Sequence, residues 1–191
     1  MKFDLILCGV GGQGILSLAA VIAQAAMTAG LDVRQSEVHG MAQRGGAVQA
    51  HLRISDRPIH GDLIGRGRAD MILSMEPLET LRYLQFLADQ APVITAVEPY
   101  RNIPDYPDED ALLAELGNIP CCTLVPAKEL AREAGNLRSA NIALVGAASS
   151  QLPMPYEQII EAVRTRLSSK GAEVVELNLK ALDLGRSVVE R

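Results

Sequence analysis

Six residues, Gly9-Val10-Gly11-Gly12-Gln13-Gly14, separate a short apolar run from a longer alanine-rich one, and they constrain the fold more than any other feature. Lys2 to Cys8 reads as a buried strand. Ile15 to Thr28 carries apolar residues on a near-continuous helical face that ends before Gly30. Glycine permits the tight turn and lets backbone N–H groups approach a ligand; the helix N-terminus behind it offers partial positive charge to a phosphate or carboxylate. Gly-x-Gly-x-x-Gly between a strand and a helix is the pattern of a dinucleotide-binding turn. Such a site also needs an acid at the end of the second strand, and Glu37, 23 residues after Gly14, is placed for it. The same six residues serve equally as a bare strand-to-helix turn, and both readings stay open here.

The rest of the chain alternates. Strands are expected at 31–37 and 47–54, with Ser55-Asp56-Arg57-Pro58 turning into a short return strand around Ile59. A strand at 69–74 leads to a helix at 76–89, strands follow at 92–97 and 119–125, and the Pro-rich 98–107 stretch is a loop before a short helix at 108–116. Four helical segments close the chain, at 126–134, 138–151, 155–169 and 172–190. This order implies one domain over 1–191 of the α/β class: a three-layer α/β/α, Rossmann-like, mostly parallel sheet, with a β-hairpin at 47–60 and a C-terminal helical arm from about 126. No second crossover helix follows Glu37, which departs from the usual dinucleotide-binding order.

Composition narrows the function. The chain of 191 residues is 48% hydrophobic with a net charge of -5, so it is not disordered. An acidic balance and 3% aromatic content argue against nucleic acid as a partner. The uncharged stretch from Leu5 to Leu31 is interrupted by Gly9, Gly11, Gly12, Gln13, Gly14, Gln24 and Gly30, so no membrane span is expected. With Asp4 two residues after Lys2 there is little basic n-region for a signal peptide, and a cytoplasmic location is expected. Cys8, Cys121 and Cys122 are too few for a disulfide framework or for the four thiolates of an iron–sulfur cluster, and they have no zinc-like spacing. Cys121 and Cys122 are expected to be buried strand residues.

Charge is segregated. Residues 34–68 hold Arg34, Arg44, Arg53, Arg57, Arg66 and Arg68 against Glu37, Asp56 and Asp62, a formal +3 that leaves -8 for the remainder. Within that window lies Glu37-Val38-His39-Gly40-Met41-Ala42-Gln43-Arg44-Gly45-Gly46. Its glycines bend the chain around Gln43 and Arg44, presenting a carboxamide and a guanidinium fork to a carboxylate, a phosphate or another subunit. His39 is a further donor there, but it lacks an identifiable carboxylate or serine partner, so no catalytic residue is assigned. The candidate ligand- or subunit-binding set is therefore Gly9, Gly11, Gly12, Gln13, Gly14, Glu37, His39, Gly40, Gln43, Arg44, Gly45 and Gly46.

Taken with Gly11-Gly12-Gln13-Gly14-Ile15 and Leu52-Arg53-Ile54-Ser55, this second glycine segment resembles the gamma-type subunit or domain of the 2-oxoacid:ferredoxin oxidoreductases, most of all the indolepyruvate branch. The likeness runs on through Pro77-Leu78-Glu79, Asn141 to Gly146, and Val175 to Leu179. It implies oxidative decarboxylation of a 2-oxoacid to its acyl-CoA with reduction of ferredoxin, and a chain that is inactive alone. Thiamine diphosphate and iron–sulfur clusters are then expected on a larger partner subunit, with ferredoxin and coenzyme A met through the complex, and this chain binding no cofactor alone. A contact with a second copy of this chain is also compatible with it. The residues agree, because Gly61-Asp62 is followed by Leu63 and the Gly-Asp-Gly…Asn pattern of thiamine binding is missing. The competing reading is a stand-alone nucleotide- or dinucleotide-binding protein that uses the Gly9–Gly14 loop.

Overall fold

The computed structural model describes residues 1–39 and 45–189. Six strands, β1 (Lys2–Val10), β2 (Asp32–His39), β3 (Ala47–Ser55), β4 (Met71–Ser74), β5 (Val93–Ala96) and β6 (Cys122–Val125), form one mixed sheet in the order β2-β3-β1-β4-β5-β6. β1, β4, β5 and β6 are parallel neighbours, whereas β3 runs antiparallel to both β1 and β2. Helices α1 (Ile15–Thr28), α2 (Pro77–Tyr83), α3 (Glu109–Gly117), α4 (Ala127–Ala134), α5 (Ala140–Ala148), α6 (Tyr156–Leu167) and α7 (Ala172–Val189) complete it.

Side chains alternate across the sheet, so β1 feeds two cores. Leu5 and Leu7 join Leu52, Ile54 and the buried stripe of α1 (Ile15, Leu18, Ala19, Ile22, Ala25 and Ala26), together with residues of α5 and α6. Ile6 and Cys8 point the other way, against Ile64, Ile72, Val93, Tyr83 and Phe86. The α/β/α layering expected from the alternation of elements is present, with the four C-terminal helices packed on one another and, through α5, against the sheet.

Two local expectations are corrected. No return strand forms at Ile59: both edges of β3 are already taken, by the β1 ladder from Lys2↔Ser55 to Val10↔Ala47 and by β2 from Asp32↔Ser55 to His39↔Val48. Ile59 N–H instead donates to Asp32 Oδ2 at 2.7 Å, and the antiparallel hairpin is β2–β3 rather than 47–60. Nor are Cys121 and Cys122 both buried strand residues: Cys122 pairs with Val93 at the start of β6 but is half-buried, and Cys121 lies before the strand. Cys122 N–H closes a turn onto Ile119 O at 3.2 Å, with Pro120 second and Cys121 third at φ 58°, the arrangement of a type II turn. Pro120 thereby interrupts the apolar run, leaving Cys121 exposed and Cys122 half-buried at the start of β6.

Part of the positive window is committed to the fold. Asp4 is buried and accepts Arg53 Nε at 2.9 Å and Lys2 Nζ at 2.8 Å. Arg53 Nη1 also donates to Gly61 O at 2.8 Å, and His51 Nδ1 accepts Ile64 N–H at 2.9 Å. These bonds hold residues 56–70 against the face of β3 opposite α1.

Candidate functional site

At the carboxyl end of β1 the glycine loop is built by close contacts. A Cβ on Gly9 would sit 2.6 Å from Ile15 Cδ1 and 2.8 Å from Gln13 Oε1, so a larger residue would displace the Gln13 side chain that braces the loop. Gly14 caps α1 in the left-handed region (φ 83°), with no side chain capping the helix amides. Gln13 braces the loop with both amide atoms: Oε1 accepts Val10 N–H at 2.7 Å and Nε2 donates to Met75 O at 3.0 Å, tying β1 to the end of β4.

The two glycine segments meet. Gly11 N–H donates to Gly46 O at 2.8 Å and Gly45 N–H returns to Gly11 O at 3.2 Å. Asn102 Nδ2 adds a bond to Gly45 O at 2.7 Å, and Asn141 Nδ2 one to Gly14 O at 3.3 Å. Gly9, Gly11, Gly12, Gln13, Gly14, Gly45 and Gly46 are therefore one cluster. Gly40, Gln43 and Arg44 lie outside the described residues, as does the side chain of His39, whose backbone ends β2. Glu37 is exposed on β2 and accepts Gln35 Nε2 at 3.3 Å. Because β3 intervenes, β2 lies about 10 Å from β1, two strand spacings away, rather than beside it as a ribose-binding acid requires.

From Gly12 to Gly14 the loop opens into a cleft of about 1350 Å³ whose floor is the α1 N-terminus and whose walls come from the 98–100 segment, α5 and α7. Four exposed cations line it, Lys128, Arg138, Arg166 and Lys170. The partial positive charge of the helix end and four cationic side chains make this an anion-receiving cleft. Two acids also line it: Glu173 is exposed on the first turn of α7, and Glu98 Oε1 caps α4 by accepting Lys128 N–H at 2.6 Å, so the cations outnumber the carboxylates by two. Tyr100 stands on the same segment, and its N–H donates to Oε1 of the buried Glu76 at 3.2 Å. Glu76 also accepts the Tyr106 hydroxyl; burial, and then that carboxylate, push the Tyr106 phenol well above its ordinary range. One buried carboxylate thus staples the 98–107 segment beside the loop through Oε1 and caps α2 through Oε2, which accepts Glu79 N–H at 2.8 Å. No local pattern marks Tyr100, Lys128 or Arg138; they reach the cleft only because the strand order brings the ends of β1, β4, β5 and β6 together.

The cysteines do not fit a cluster site. Cys8 is enclosed in the sheet, where burial pushes its thiol up to about 12, and burial raises Cys122 to about 11. Among the described residues no three His, Cys, Asp or Glu side chains converge as metal ligands.

Residues 4–188 match the family model described as pyruvate ferredoxin/flavodoxin oxidoreductase. The chain belongs to that family. It is 40% identical to the indolepyruvate oxidoreductase subunit IorB of Archaeoglobus fulgidus, over 97% of this chain and 94% of that protein. Subunits of that name from Methanothermobacter thermautotrophicus and Thermococcus kodakarensis are 36% and 37% identical, whereas a ketoisovalerate oxidoreductase subunit of the former is 25% identical and this chain spans 35% of it. The fold matches a keto/oxoacid ferredoxin oxidoreductase gamma subunit from Geobacter sulfurreducens (TM-score 0.74, 24% identity, 98% of each chain). It also matches a 2-oxoglutarate:ferredoxin oxidoreductase from Magnetococcus marinus with 2-oxoglutarate, coenzyme A and succinyl-CoA bound (TM-score 0.78, 21% identity, 99% of this chain and 31% of that one). No helix among the described residues is long and apolar enough to cross a membrane.

Proposed function

We propose that this chain is the smaller subunit of an indolepyruvate:ferredoxin oxidoreductase, which converts an aryl 2-oxoacid, coenzyme A and oxidised ferredoxin into the acyl-CoA, CO2 and reduced ferredoxin. The observation that carries the reading is the evenness of the likeness to the indolepyruvate subunits, 40% identity across nearly the full length of both chains against 25% for the ketoisovalerate subunit. Thiamine diphosphate and the clusters belong to the larger subunit, since the thiols here are buried or isolated and the thiamine pattern is missing.

Within the complex the anion-receiving cleft is the seat of coenzyme A, the one substrate that brings several phosphates. Its phosphates meet the α1 N-terminus at Gly12–Gly14 and the Lys128, Arg138, Arg166 and Lys170 cations. Gln43 and Arg44, on the segment joined to the loop through Gly45 and Gly46, serve the contact with the larger subunit. Co-expression with a cluster-bearing larger subunit tests the assignment: coenzyme-A-dependent ferredoxin reduction is expected to be fastest with aryl 2-oxoacids. Faster turnover of branched or short-chain 2-oxoacids would overturn the indolepyruvate assignment, and an Arg44→Ala variant with unchanged assembly and activity would overturn the role of that segment.

A further inference from the structure

We infer that Tyr100 is the surface on which this chain stacks the purine of coenzyme A, an assignment that rests on the cleft being the coenzyme's seat. The chain has only four tyrosines, two phenylalanines and no tryptophan. Five of these six rings are occupied by the fold. Phe3 packs on the main core, Tyr83 and Phe86 lie 6.4 Å apart under the other face, with Phe86 edge-on to His51, and Tyr106 bonds Glu76. Tyr156 sits under the Arg186 guanidinium at 4.1 Å and donates to Asp183 Oδ1.

Tyr100 is the sixth; it is 39% exposed and is the one aromatic lining the cleft among the described residues. Its position is set from both sides by backbone and neighbour contacts that do not involve its own ring. Its N–H is held by the buried Glu76, and Asn102 two residues on is held by Gly45 O. With its backbone held before binding, Tyr100 has only its two side-chain torsions left to order when a second ring covers it. The chemistry of the coenzyme selects which ring that is. Its thiol has to reach the thiamine on the larger subunit, and the pantetheine arm separates thiol from nucleotide. The nucleotide end is therefore the part that this chain holds, with phosphates at the cations and the base free to lie on the 98–100 wall.

The test is titration calorimetry of the full chain with coenzyme A and with 4′-phosphopantetheine, which lacks the purine, for wild type, Tyr100→Phe and Tyr100→Ala. Tyr100→Ala is expected to weaken coenzyme A about 5- to 150-fold, Tyr100→Phe to retain the affinity, and neither to change 4′-phosphopantetheine binding. The alanine variant keeps the backbone bond to Glu76, and an unchanged melting temperature checks its fold. If the wild-type chain binds no coenzyme A, the coenzyme reading of the cleft fails and this inference with it. If wild type binds and Tyr100→Ala binds as tightly, or if the variant instead loses subunit assembly or raises only the KM for the aryl 2-oxoacid, the stacking assignment alone is overturned.

Discussion

Replacing Gly185 by alanine is expected to destabilise the chain, although alanine is the better helix former. Gly185 lies in α7 where it crosses α5, and a Cβ there would stand 1.8 Å from Ala143 O, 2.7 Å from its carbonyl carbon and 3.0 Å from its Cα. Gly146 on α5 faces the same crossing, its added Cβ 2.0 Å from Leu182 O. These neighbours are backbone atoms and cannot swing aside, so the two helices have to part by about 1.5 Å to restore an ordinary carbon–oxygen contact. A radial gap of that size forfeits much of the dispersion energy along the seam, and overpacking of this kind costs about 3 kcal/mol or slightly more. The gain in helix propensity returns about 1 kcal/mol. The net loss is about 2–3 kcal/mol, which for a chain of this length lowers Tm by about 4–12 °C. Calorimetric unfolding of the full chain reads it directly, with agreement of the calorimetric and van't Hoff enthalpies as the check on two-state behaviour. Because one separation relieves both clashes, the Gly146→Ala/Gly185→Ala double variant should lose less than the sum of the singles. A Gly185→Ala protein that melts at or above the parent temperature would refute the packing argument, since propensity alone predicts that outcome.

Three further predictions follow from the buried polar groups. Gln13→Ala removes the acceptor of Val10 N–H and the donor to Met75 O, and urea unfolding should show a loss of about 1–3 kcal/mol; a change below about 0.5 kcal/mol would mean that water replaces both bonds. Arg53→Ala leaves the Asp4 carboxylate buried with only Lys2 beside it. It should cost about 3 kcal/mol and speed hydrogen exchange at Ile64, whereas unchanged exchange there would show that residues 56–70 do not depend on this brace. Glu79 is raised above the ordinary carboxylate range by burial first, against the opposing pull of Arg82 and with the Glu76 charge adding to the rise. The folded carboxyl then holds its proton to higher pH than the unfolded one. Its favourable contribution is whole below the ordinary carboxylate pKa and is lost as pH rises through the raised folded value. The melting temperature of Glu79→Gln should therefore gain on the parent as pH rises from about 4.5, and a gap that moves the other way would refute the assignment.

Periodicity was enough where an element's partners are its own neighbours in sequence. Helix α1 runs from Ile15 to Thr28 as its apolar stripe implies, because Gly14 and Gly30 bound it and one face is continuously apolar. Pairing partners were not legible in the same way. Nothing local to 47–55 says that β3 inserts between β1 and β2, and the turn at Ser55–Pro58 suggests a hairpin that competition for strand edges forbids. Pro120 was the available warning that the apolar run 119–125 breaks before Cys122.

The site divides along the same line. Residue order alone determined the glycine turn after β1, the family signature in the two glycine segments and the shortage of thiols and rings, because these depend on residue type and close spacing. Only the tertiary structure decided that Gly11 and Gly46 bond to each other, that Glu37 stands two strands from the loop, and that a staple on Glu76 carries Tyr100 to the cleft. The two bonds join residues 35 and 24 positions apart, and strand order alone sets the distance of Glu37 from the loop. Such pairings are selected by the burial of whole faces of the sheet rather than by any short stretch of chain.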